Sequence, residues 1–100
     1  MTTVQRLPYC SKRAKAFVVL ADNGDKLLVF RNQPIAILRF DNWLELMPGC
    51  SRSAIHYQTS FVSVYAPNVS MDTLYIMRAN QLALNVETGD VSTQQRTFGI

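Results

Sequence analysis

The sequence predicts a mainly β protein, a single-domain antiparallel sandwich or partly open barrel of six or seven short strands with one short helix. Three observations lead there. Turn-forming residues recur roughly every 7 to 12 positions, the runs between them are rich in β-branched and aromatic residues, and a single segment carries helix start and stop signals. The alternative is an α+β arrangement with one helix on an antiparallel sheet.

One hundred residues, 48% hydrophobic and only 17% charged, are expected to form one domain spanning 1–100. A chain of this size buries roughly two-thirds of its unfolded surface and needs neither metals nor disulfides to fold. The longest apolar run, Ala16 to Ala21, is too short to cross a bilayer, and no basic-then-apolar leader opens the chain. A cytoplasmic protein without membrane contact is therefore expected, with Cys10 and Cys50 as free thiols. The net charge of +3 is unevenly placed: residues 1–15 hold Arg6, Lys12, Arg13 and Lys15 and no acid, whereas residues 16–100 hold six basic and seven acidic residues.

The elements follow in order. Residues 1–15 read as a basic lead-in. "AFVVLADNGDKLLVF" reads as a hairpin, because Asn23-Gly24 tolerates the two positive φ angles of a type I′ turn. Closing it at Asp22 and Asp25 pairs Leu20 with Leu27 and Val18 with Val29 on one face, and Val19 with Leu28 and Phe17 with Phe30 on the other. Both faces are apolar, so cover on both sides is expected. "RNQP" makes the next turn around Pro34, and "IAILRF" the third strand.

"DNWLELMPG" is the predicted helix, with Asn42 as cap, Glu45 three residues on, and Pro48-Gly49 as the stop. Trp43, Leu44 and Met47 would face the sheet. Ala54 to Tyr65 reads as a strand with Ile55, Tyr57, Phe61 and Tyr65 on one face, and Asp72 to Arg78 as another strand. A turn at Ala79-Asn80-Gln81, a strand Leu82 to Val86, a turn at Thr88-Gly89-Asp90 and a last strand follow. The tail 92–100 is expected to be mobile or to form an edge strand ending in Phe98 and Ile100.

The chemistry is sparse. His56 is the only histidine and no G-x-S-x-G elbow accompanies it, so no catalytic residue is assigned. Two cysteines 40 positions apart and one histidine offer no metal-ligand spacing. The isolated glycines make no phosphate cradle. No metal or cofactor is expected.

By elimination, the expectation is a small non-enzymatic binding protein that occupies a macromolecular surface. Inhibitors of host proteins of the phage or mobile-element type, and assembly factors, are such proteins. The partner is expected to be a protein, with Tyr57, Tyr65 and Tyr75 on neighbouring strands as candidate interface aromatics. A homo-oligomer through an edge strand is a further arrangement. The alternative is a nucleic-acid-binding module using Arg6, Lys12, Arg13 and Lys15, with Tyr9 to stack on bases and Arg31, Arg39, Arg52 and Arg78 to extend the patch if the fold gathers them.

Overall fold

A computed structural model describes residues 3–6 and 16–94. These form β1 (Thr3–Arg6), β2 (Ala16–Leu20), β3 (Lys26–Phe30), β4 (Gln33–Leu38), β5 (Trp43–Leu46), α1 (Arg52–Tyr65), α2 (Met71–Asn80), β6 (Leu82–Asn85) and β7 (Val91–Thr93). All seven strands lie in one antiparallel sheet in sequence order. The two helices interrupt the meander between β5 and β6; α1 packs on β3 and β4, and α2 on β6. The antiparallel β-rich fold class is as the sequence predicts, with two helices on the sheet instead of one.

Alternation along the strands sorts side chains onto two faces. Ala16, Val18, Leu28, Phe30, Ala36, Leu38, Leu44, Leu46 and Leu84 point toward the helices and meet Ala54, Phe61, Val62, Leu74 and Met77 in one core. On the opposite face Phe17, Val19, Leu27 and Val29 are half-buried, while Ile37, Glu45 and Ala83 are buried. The helices thus cover one side only, where the sequence led to an expectation of cover on both.

The first hairpin forms where predicted, one residue out of the predicted register. Leu20 pairs with Lys26, Val19 with Leu27, Val18 with Leu28 and Phe17 with Val29. The loop holds three residues, Asp22-Asn23-Gly24: the Ala21 N–H donates to the Asp25 carbonyl (2.9 Å) and the Gly24 N–H to the Ala21 carbonyl (3.0 Å). Only Gly24 takes a positive φ, +97°, as in a type I turn closed by a left-handed residue. The shift puts Val18 and Leu28 together on the core face. The two-residue turn with two positive φ angles occurs at Arg31 (52°) and Asn32 (65°), joining β3 to β4. Pro34 lies inside β4 opposite Val29, beside an irregularity of register.

Three predicted elements are overturned. "DNWLELMPG" is not a helix: Asn42 stands at φ +73° in a turn, and Trp43 to Leu46 form β5. The Arg39 N–H donates to the Trp43 carbonyl and the Asn42 N–H to the Arg39 carbonyl, both at 2.9 Å, so Asn42 does here what Gly24 does in the first loop. Leu44 and Leu46 then alternate into the core, with Trp43 and Glu45 on the other face. That two-residue period decides between strand and helix.

Ala54 to Tyr65 is helix, not strand. The Ser51 hydroxyl accepts the Ala54 N–H as N-cap, and Ala54, Gln58, Phe61 and Val62 are buried at i, i+4, i+7 and i+8. The polar Gln58 sits in the buried stripe and hides the helical period. Asp72 to Arg78 is likewise helix, capped by the Ser70 hydroxyl, with Asp72 in the first turn and Arg78 in the last as the helix dipole favours. It ends at Gln81, φ 52°, after which β6 and β7 form the predicted hairpin around Gly89. β1 was not foreseen as a strand. Of the expected tail, Gln95 to Ile100 lie outside the described residues.

Candidate functional site

α2 carries more large apolar residues than it buries. Leu74 and Met77 enter the core, whereas Met71, Tyr75 and Ile76 are 64%, 74% and 53% exposed. Met71 and Tyr75, at i and i+4, share one side of the helix, while Ile76 stands about 100° further round, toward the side of Thr73. Across from Ile76, Val91 at the start of β7 is 57% exposed.

Between the two lies an open cleft of about 440 Å³, walled by Val69, Thr73, Ile76 and Met77 from the helix side and by Leu82, Leu84 and Val91 from the sheet side. Gly89 and Asn85 close one end and Asn68 contributes from the helix connection. Among the described residues no charged side chain lines it. A cleft so apolar, with few convergent polar groups, fits an apolar group better than a polar metabolite.

A second cavity of about 420 Å³ lies on the helix-free face, lined by Arg39, Asp41, Trp43, Glu45 and Ser92. Glu45 is fully buried, and its Oε2 accepts from Arg39 Nε (3.0 Å) and Nη2 (2.8 Å). The sheet register explains the pair: Ile37 stands opposite Glu45, which places Arg39 on the same face at the diagonal position. Arg39 is thereby engaged with a carboxylate on the sheet.

Arg78 is engaged too. Its Nε donates to Gln58 Oε1 (2.9 Å), joining α2 to α1. Burial lowers the Arg78 pKa, partly offset by the nearby Cys50. Cys50 is a free, half-buried thiol that donates to the Met47 carbonyl (3.1 Å). Burial pushes its pKa up, while the Arg78 charge and a hydrogen bond from Gln58 act more weakly in the other direction. Arg31 sits in the β3–β4 turn with its guanidinium over the Phe30 ring, 4.9 Å away, and Arg52 starts α1. The fold does not gather these four arginines.

The predicted interface tyrosines are not on neighbouring strands. Tyr57 and Tyr65 belong to α1 and Tyr75 to α2. Tyr57 packs on Phe30, ring centroids 4.9 Å apart. Tyr65 packs on Phe61 at 5.1 Å and donates its hydroxyl to Gln5 Oε1 at 2.9 Å, and its burial raises the phenol pKa. Of the three, only Tyr75 is exposed. His56 is exposed on α1, its ring 5.5 Å from that of Tyr57. Lys12, Arg13 and Lys15, together with Tyr9 and Cys10, lie outside the described residues, as does the side chain of Arg6.

Sequence reasoning passed over Ile76, Met77, Leu82 and Val91, because the cleft exists only once residues 71–80 are helical. The available signal was Ser70 followed by Asp72, a cap and an acid at a helix start.

The fold and its cleft define a small α+β protein, an antiparallel meander with a helical pair inserted before its last two strands and an apolar recess beside the final strand. No family model, curated protein or solved structure matches the chain.

Proposed function

We propose that this chain is a non-enzymatic binding protein that acts by occupying the surface of another protein, as an inhibitor or an assembly factor does, through the face built by α2 and β7. The observation that supports this reading is the apolar cleft between α2 and β7, in which Ile76 and Val91 stay more than half exposed, with Met71 and Tyr75 exposed elsewhere on the same helix. A ten-residue helix that buries only two of its large apolar side chains leaves apolar surface that the described residues do not cover. Tyrosine and methionine are also types enriched at protein interfaces.

A photo-crosslinking residue placed at Ile76, with a control at Asn23 in the first hairpin loop, tests the reading in a lysate of the cells that make the protein. The expected result is one adduct of defined mass from position 76, absent from position 23 and lost when Val91→Lys is added. Equal adducts from both positions, or none from position 76, would overturn it.

A further inference from the structure

We propose that Asn23 is a site of spontaneous deamidation gated by the first hairpin loop, and that its conversion to a carboxylate loosens the tie between that loop and the β4–β5 turn.

The chemistry needs only Asn23, Gly24 and water. The backbone nitrogen of Gly24 forms a bond to Asn23 Cγ, the Cγ–Nδ2 bond breaks, and ammonia leaves with the proton that the nitrogen gives up. A five-membered succinimide results. Water then adds to one of its two carbonyls and the ring opens, leaving aspartate or, where the main chain now runs through the side chain, isoaspartate. Nothing is oxidised or reduced. Asn23 is the one asparagine in the sequence followed by glycine, and a residue without a β-carbon leaves its nitrogen open to this step.

The loop keeps both reacting groups occupied. The Gly24 N–H donates to the Ala21 carbonyl (3.0 Å). The Asn23 carboxamide is turned to residue 25, where its Oδ1 accepts from the Asp25 N–H (3.0 Å) and its Nδ2 donates to Asp25 Oδ2 (3.1 Å). Ring closure has to break these bonds, so it proceeds from an open loop. That opening is local: Asp22, Asn23 and Gly24 are exposed and none belongs to the core.

The same contacts determine what the modification does. Asp25 Oδ1 accepts from the Phe40 N–H (2.9 Å), so one carboxylate joins the loop to the β4–β5 turn. Deamidation replaces the Nδ2 donor, which stands 3.1 Å from Asp25 Oδ2, by a charged acceptor oxygen. Two carboxylates then meet where a hydrogen bond stood, and Asp25 is driven from its place beside Phe40. Isoaspartate goes further, adding a backbone atom inside a loop whose closure is set by the Ala21–Asp25 bond.

Peptide mapping by mass spectrometry, on the whole chain held at neutral pH in buffer and in concentrated urea, tests the proposal. The product at position 23 is about 1 Da heavier, and its aspartate and isoaspartate forms separate by chromatography. In urea, position 23 is expected to convert faster than any other asparagine, and in buffer about tenfold or more slower than in urea. Gly24→Ala should slow conversion in urea about tenfold, by placing a β-carbon beside the nitrogen. Gating makes a sharper demand: the ratio of the two rates should match, within about threefold, the protection of the Gly24 N–H from hydrogen exchange. Asp25→Ala, which frees the Asn23 amide, should lower both factors together. Asn23→Asp should lower the thermal midpoint by about 2–5 °C. No conversion at position 23 in urea, equal rates in the two solvents, or a rate ratio that departs from the exchange protection would overturn the gated site. An Asn23→Asp midpoint at or above that of the native chain would overturn the consequence for the loop.

Discussion

Gln58 is where the two layers of the molecule are tied together. It is a fully buried polar residue on α1. Its Nε2 donates to the Ile35 carbonyl (2.7 Å) and the Met47 carbonyl (3.2 Å), linking α1 to β4 and to the end of β5. Its Oε1 accepts from Arg78 on α2, whose Nη2 reaches toward Thr59 Oγ1 (3.4 Å). No buried side-chain nitrogen or oxygen among the described residues is left without a partner. A satisfied buried network adds modestly to stability, but removing one member leaves the others desolvated and unpaired. Gln58→Leu, which keeps the volume and deletes the amide, is therefore expected to cost about 2–4 kcal/mol in denaturant unfolding. The double variant with Arg78→Met should be less destabilised than the two losses added, by about 1 kcal/mol, since the second change removes a donor already stranded. Strict additivity would show that Gln58 and Arg78 do not act through each other.

At the scale of elements, the connections decide how the meander closes, and several use left-handed residues other than glycine: Arg31, Asn32, Asn42 and Gln81 all have positive φ. Gln81 is the clearest case for relief. It ends α2 at φ 52° with its backbone N–H bonded to the Met77 carbonyl, and its side chain is exposed. Left-handed geometry costs a β-carbon-bearing residue about 1–2 kcal/mol, and glycine returns part of that gain as entropy in the unfolded chain. Gln81→Gly is expected to raise stability by about 0.5–1 kcal/mol. Gly24→Ala should lower it by about 1–2 kcal/mol, because a β-carbon there would stand 3.1 Å from that of Phe40 at φ +97°; thermal unfolding of both variants checks the pair of signs. These same connections separate what was legible in the sequence from what was not. Turns at Asn23-Gly24, after Phe30 and at Gly89 announce themselves through residue type, and strands β2, β3, β4 and β6 follow from them. Segments 54–65 and 72–78 are decided by burial against the sheet, which local alternation does not carry: Ile55, Tyr57 and Phe61 read as one face of a strand until Gln58 is known to be buried. The Asn42-to-Glu45 spacing misled in the opposite sense, since an asparagine suited to a left-handed turn also suits a helix cap. The cleft was invisible for the same reason, being made by a helix that the sequence presented as a strand.

Across the whole molecule, charge is divided. Residues 1–15 hold four basic residues and no acid, while residues 16–100 hold six basic and seven acidic residues. The two readings of function use different parts of the chain, which lets one experiment weigh them. A nucleic-acid grip would depend on Arg6, Lys12, Arg13 and Lys15, because Arg39 is paired with Glu45 and Arg78 is turned to Gln58. Four phosphate contacts on duplex DNA give a log–log salt slope of about −3.6. The triple charge reversal Lys12→Glu, Arg13→Glu, Lys15→Glu would flatten that slope toward about −0.9 and release the oligonucleotide at low salt. A protein partner seated on α2 and β7 involves none of these residues. The expected outcome is therefore that the triple variant keeps its adduct from position 76 and its thermal midpoint. Oligonucleotide binding by the native chain with the steep slope, together with loss of the position 76 adduct in the triple variant, would move the function from the cleft to the basic segment. The opposite pattern, a shallow salt dependence and an unchanged adduct, assigns the basic residues to the solvation of the chain and leaves the apolar cleft as the surface that recognises a partner.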